Sequence, residues 1–175
     1  DMFIILIFVI LINSFIGPNK YDEELKYLNE DYALKKIDFI NYNSERVKIM
    51  HDVDKSNVVV NIITTTIMVI SFVIVPFTNK GQTLGSKILK IRIKKENLTI
   101  LDLLIRSIIV NGLGFMLFMF LILFLVNDDI YFVLVNFLAF CQLLVVIINV
   151  FMILYKEEHI SLADVLTNSR IEEIR

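Results

Sequence analysis

Two short stretches set a hydroxyl residue three positions ahead of a carboxylate: Thr99-Ile100-Leu101-Asp102 and Ser161-Leu162-Ala163-Asp164. In such a capping box the hydroxyl accepts from the third backbone N–H while the acid reaches back to the first, so each stretch predicts a helix start. Asp102 and Arg106 stand four apart, on one helix face, within reach of an ion pair. Arg106 also heads an apolar run, so its stem can lie in apolar surroundings with its charge in water. It reads as an interfacial anchor or as a functional cation. Asp164 reads as a helix-capping carboxylate, or as an acceptor for a basic loop and Arg106. Lys90-Ile91-Arg92-Ile93-Lys94 alternates basic and apolar residues, with Leu98-Thr99-Ile100 close behind. That pattern fits a small local hairpin or a segment lying on anionic headgroups. Cys141 is the single thiol, and His159 has only Glu157 and Glu158 near it in sequence. No metal set, cofactor motif or nucleophile–base pair emerges, so the chain reads as a non-enzyme without metal or cofactor.

The elements that must carry these residues are apolar blocks. Apolar residues make up 57% of the 175, against about 45–50% in an ordinary soluble domain. They are gathered into runs separated by charged segments, which is what a bilayer demands. The first run, Met2 to Ile16, extends about 22 Å as a helix, short of a hydrocarbon core of about 30 Å. Since the chain opens at Asp1 rather than Met, the expectation is that residues upstream complete this span. Val58 to Phe77 and Ser107 to Val126 are each twenty uncharged residues, and Ile130 to Tyr155 is twenty-six. The last two, joined by Asn127-Asp128-Asp129, predict a transmembrane hairpin. Between the first two runs lies a charged connection in which Tyr21, Leu25, Leu28 and Tyr32 recur at helical spacing.

The resulting fold class is an all-α integral membrane protein of four transmembrane helices in one domain over 1–175. The helices are expected at about 1–16, 58–77, 104–126 and 130–155. The remaining parts are a long outer segment 17–57, a basic loop 79–103 and a tail 156–175. From Asn79 to Arg106 there are seven basic and two acidic residues; from Gly17 to Asn57, seven basic and nine acidic. The positive-inside rule therefore places the basic loop, both termini and the tail in the cytoplasm. Expected partners are the lipid bilayer, anionic inner-leaflet lipids at the basic loop, and a second copy or a protein partner. The net charge of −2 does not point to nucleic acid.

Gly81-Gln82-Thr83-Leu84-Gly85-Ser86-Lys87-Ile88-Leu89-Lys90-Ile91-Arg92-Ile93 resembles the RDD family of bacterial membrane proteins. That family carries a loop of the type G-x-T-L-G-K-x-x-L-x-x-x-V between its second and third helices, and an arginine at the head of the next helix, which Arg106 matches. Leu162-Ala163-Asp164-Val165-Leu166-Thr167-Asn168-Ser169-Arg170-Ile171 fits the family's tail signature, L-H-D-L-L-A-G-T-x-V, with Asp164 as the second of its two aspartates. Asp1, followed at once by an apolar run, is similar to the first aspartate, and the family arginine would lie upstream. Ser86, Ala163, Asn168 and Ser169 depart from the family pattern, and the outer connection is long for it.

The resemblance implies a multi-pass bacterial cell-membrane protein without established enzymatic chemistry. Transport is the usual suggestion, and cation/proton exchange has been assigned to some members. Asp1, Arg106, Asp164, Thr83 and Gly85 are then the candidate functional residues. Asp1→Asn is expected to impair any cation-linked activity. The other reading is a non-catalytic scaffold or assembly subunit binding lipid or partner proteins, favoured by three runs without an ionisable side chain.

Overall fold

The computed structural model describes residues 5–7, 9–11, 20–155 and 160–174. Asp1 and His159 lie outside the described residues. Of the first apolar run, residues 5–7 and 9–11 are helical, and Ile5 is buried against Met68, Phe72 and Leu113 in the core.

The charged connection folds as two helices, α1 (Lys20–Ala33) and α2 (Phe39–Ser56). The apolar stripe of α1 turns inward at Leu28, which is buried. Lys35, at φ 55°, helps reverse the chain, and Asp38 caps α2 by accepting from the Asn41 N–H at 2.8 Å. Tyr32 stacks on Tyr42 at 4.4 Å, and the Tyr42 hydroxyl donates to Asn29 at 2.8 Å, so the pair holds its own shape. Val47 and His51 are the buried residues of α2.

After Asn57, α3 runs from Val58 to Thr78, 21 residues long and apolar enough to cross a membrane. The hydroxyls of Thr65 and Thr66 donate to the carbonyls four residues back, which satisfies them without water. One widened turn, Ile70–Ile74, precedes Pro76. Proline has no N–H to give, and a widened turn absorbs the break in the ladder. Beyond α3 come the short α4 (Leu84–Ile88) and the strand β1 (Ile91–Lys94).

The third expected span is not one helix. Ile100–Val110 (α5) and Leu113–Leu123 (α6) meet at an 82° bend. Asn111 ends α5 and Gly112 starts α6 in the left-handed conformation, φ 72°, which glycine adopts without penalty. Gly114 completes the corner, since a Cβ there would stand 2.9 Å from the Ile108 side chain. The expectation of an unbroken helix over 104–126 is corrected: composition alone suited a span, and backbone freedom at one glycine divided it.

Asn127 then caps α7 (Asp128–Tyr155), accepting from the Ile130 N–H at 3.0 Å. This helix of 28 residues is about 42 Å long, enough to cross a bilayer with a tilt. The chain thus has two continuous apolar helices of membrane-crossing length and one broken pair among the described residues. The tail adds α8 (Leu162–Thr167) and β2 (Arg170–Glu173).

β1 pairs antiparallel with β2, with Ile93 opposite Ile171 and Arg92 opposite Glu172. A local hairpin between Lys90–Lys94 and Leu98–Ile100 is therefore corrected. The partner strand comes from about eighty residues downstream, and Thr99–Ile100 opens α5 instead. This ribbon, with α4 and α8, sits where α3 and α7 end; the α6–α7 turn lies at the other end of α7.

Candidate functional site

At the ribbon end, the head of α5 is set by Thr99 and Asp102, which form the capping box that their spacing predicts. Asp102 also receives the Lys95 ammonium at 2.7 Å, in addition to the Thr99 N–H and hydroxyl. Asp102 is thereby occupied, and the expected pair with Arg106 does not form. Arg106, one turn on, faces the tail instead. Its Nη1 donates to Asp164 Oδ1 at 2.5 Å and to the Ser169 hydroxyl at 2.6 Å. Both partners of this ion pair are buried, Arg106 7% and Asp164 5% exposed.

The tail is built to present Asp164. Ser161 and Asp164 make the second capping box, with the Ser161 N–H and hydroxyl both on Asp164 Oδ2. Asp164 thus caps its own helix with one oxygen and binds Arg106 with the other. Asn149 of α7 accepts from the Leu162 N–H at 2.9 Å, and Thr167 donates to the Ala163 carbonyl. Ala163 is fully buried. Asn168 takes the left-handed conformation, φ 48°, and turns the chain so that Ser169 reaches Arg106. Burial pushes the Asp164 carboxyl up, but hydrogen bonds from Ser161 and Arg106 outweigh it and hold the group below the usual carboxylate range. Asp164 is accordingly an anion beside the Arg106 cation at neutral pH, and the two clasp the tail to α5.

Thr83 is the N-cap of α4, accepting from the Ser86 N–H at 3.1 Å, and Gly85 lies within that helix. The close backbone approach in this loop occurs at Gly81. A Cβ on Gly81 would stand 2.2 Å from the Ile93 carbonyl oxygen, and the Ile93 N–H donates to the Gly81 carbonyl at 2.9 Å. Glu172 closes the ribbon from the other side, receiving Lys94 at 2.7 Å and Arg92 Nε at 2.6 Å. Those two cations, Lys94 first, hold its carboxyl below the ordinary range. The basic loop and the tail therefore pack together, joined by the Arg106–Asp164 pair and by the ribbon.

A model of the RDD family matches residues 1–168. This chain belongs to the RDD family. Among curated proteins and solved structures, none matches. In this RDD protein the arginine at the head of the third hydrophobic run and the tail aspartate, far apart in sequence, thus form one buried ion pair. Its apolar helices and its family make it a membrane-type protein.

Two cavities flank the helix break. The first, about 200 Å³, lies under the ribbon and is lined by Thr83, Arg92, Arg106, Ser107 and Asn111 among others. The Ser107 hydroxyl is buried there without a hydrogen-bond partner among the described residues. The second, also about 200 Å³, lies toward the other end of α7 and is lined by Asp54, Asn61, Phe115, Met119, Phe120 and Tyr131 among others.

Beside that second cavity is a cluster that sequence reasoning missed. His51 is fully buried, with Nδ1 2.6 Å from Asp128 Oδ1 and Nε2 2.9 Å from the Leu123 carbonyl oxygen. The ring is thus held between a carboxylate and a backbone carbonyl, one at each nitrogen. It stacks on Tyr131 at 4.0 Å, whose hydroxyl donates to Asp54 at 2.8 Å. His51 and Asp54 are three apart on α2, a spacing that could have marked them as sharing a face. Nothing in the sequence placed Asp128 and Tyr131 opposite them.

Proposed function

We propose that this RDD protein resides in the bacterial cell membrane as a multi-pass protein. In this reading both termini, the ribbon and the tail are cytoplasmic, and the chain moves a small polar or ionic solute. Cation/proton exchange is the reaction class we favour. The observation that carries the reading is the broken span at Asn111–Gly112 with a cavity on either side of it. Asn111 lines the cavity under the ribbon, and Phe115, one turn beyond the break, lines the other. Discontinuous helices of this kind recur in transporters because backbone groups freed at a break can serve a solute where no lipid touches them. The Arg106–Asp164 clasp then acts as a structural fastener at the cytoplasmic mouth, and anionic inner-leaflet lipids are expected partners of the basic loop.

Purified protein reconstituted in liposomes with a pH-sensitive dye inside tests this. Addition of sodium or potassium should drive proton movement above that of empty liposomes. Gly112→Ala should lower it several-fold by straining the corner while the protein still inserts. A wild-type signal equal to that of empty liposomes for every cation tried would remove the transport reading.

One feature also suits the alternative of a scaffold or assembly subunit. Along α7 only Tyr131 is buried, and apolar side chains from Val133 to Tyr155 are largely exposed. Such a flank suits lipid, a second copy or a partner helix equally well. Cross-linking through Cys141 in native membranes would separate lipid from a second copy.

A further inference from the structure

We propose that the cavity beside Asp54 is a binding site for a small organic cation of the alkylammonium class. This goes beyond the transport reading and does not depend on it, because binding at equilibrium needs no flux.

The charge argument comes first. Among the described residues, Asp54 is the one charged residue lining the cavity. Its Oδ2 accepts from the Tyr131 hydroxyl. Among the described residues no Lys, Arg or His stands within ion-pair distance of it. His51, stacked on the Tyr131 ring, is committed to Asp128 and the Leu123 carbonyl. A half-buried carboxylate beside an apolar span is costly without a counter-charge, and a bound cation supplies one.

The remaining lining chooses the kind of cation. Phe115, Phe120 and Tyr131 present aromatic rings, and Met119 a thioether. Hard metal ions take oxygen ligands, about six to eight for calcium, and a single carboxylate with the Asn61 amide falls short of that. An ammonium whose charge is spread over methyl groups suits ring faces and polarizable sulfur. At about 200 Å³ the cavity lies below the roughly 300–1,000 Å³ of drug-sized pockets, so the ligand is a small head group.

The test titrates purified wild-type protein in detergent with tetramethylammonium chloride, and with sodium and potassium chloride at the same ionic strength. Calorimetry and the thermal exposure of Cys141 to a thiol dye are the two readouts. The expected result is saturable stabilisation by tetramethylammonium that the alkali ions do not give. Asp54→Asn should weaken it by about tenfold or more, and Phe120→Leu several-fold, while Asp54→Glu retains part of it. No saturable binding, equal stabilisation by sodium, or unchanged affinity in Asp54→Asn would each overturn the proposal. Should Asp54→Asn not fold, Phe120→Leu decides: unchanged affinity there overturns it as well. Cation-driven proton flux that persists without tetramethylammonium binding would sink this site and leave the transport reading standing.

Discussion

Arg106 and Asp164 are 58 residues apart in sequence, yet each is the other's charge partner in a site that water barely reaches. Removing one member of such a pair leaves a buried charge alone, so Arg106→Met or Asp164→Asn is expected to cost about 3–5 kcal/mol. The double variant Arg106→Met, Asp164→Leu should cost less than the sum of the singles, since no orphan charge remains. Ser161→Ala removes only a cap and should cost about 1 kcal/mol. Thermal unfolding followed by thiol-dye reaction at Cys141 compares all four. The pH dependence has a definite sign. Asp164 in the fold sits below its free value of 3.8, so its contribution is complete at neutral pH and is lost as pH falls through the folded value. The gap in stability between wild type and Asp164→Asn should therefore be constant near neutrality and close below about pH 4. A gap that widened on acidification would contradict the clasp.

Among the elements, the ribbon depends on one glycine. Gly81 has φ 88° and lets the Ile93 carbonyl come within what would be the Cβ radius. Gly81→Ala is expected to open the Gly81–Ile93 backbone bond and loosen β1 from β2. Gly85→Ala, inside α4 and without a positive φ, should be tolerated to within about 1 kcal/mol. Faster amide exchange at Ile93 and Ile171 in the first variant, and wild-type exchange in the second, is the outcome to look for. Equal effects would mean that the loop's glycines act by another route. The break between α5 and α6 has the same logic, with Gly112 supplying the left-handed residue that the corner needs.

At the scale of the whole molecule, the two ends of α7 carry different chemistry. The ribbon end concentrates basic residues; the α6–α7 turn end carries Asp54, Asp128 and the buried His51. If the basic end faces the cytoplasm, Asn43→Cys in a Cys141→Ser background should react with an impermeant maleimide from outside. Lys94→Cys should react only after the membrane is opened. External labelling at Lys94→Cys would invert the orientation.

Much of this was legible in one chain because it rests on local chemistry. The apolar runs at Val58–Phe77 and Ile130–Tyr155 became helices of membrane-crossing length, since a bilayer leaves the backbone no other partner. Both capping boxes formed because their donors and acceptors are three residues apart. The stripe on α1 formed for the same reason of spacing. What tertiary structure alone decided are choices among distant partners. Asp102 had Arg106 in reach on its own helix and took Lys95; Arg106 took Asp164 and Ser169 from the tail. β1 had a neighbour nearby and paired with β2. His51 gave no sign of burial until Asp128 and Leu123 closed over it. Spacing states which groups can meet within a few turns. Which of several equally suitable charges or strands does meet depends on the path of the chain between them, here on a corner at Gly112 and a turn at Asn168.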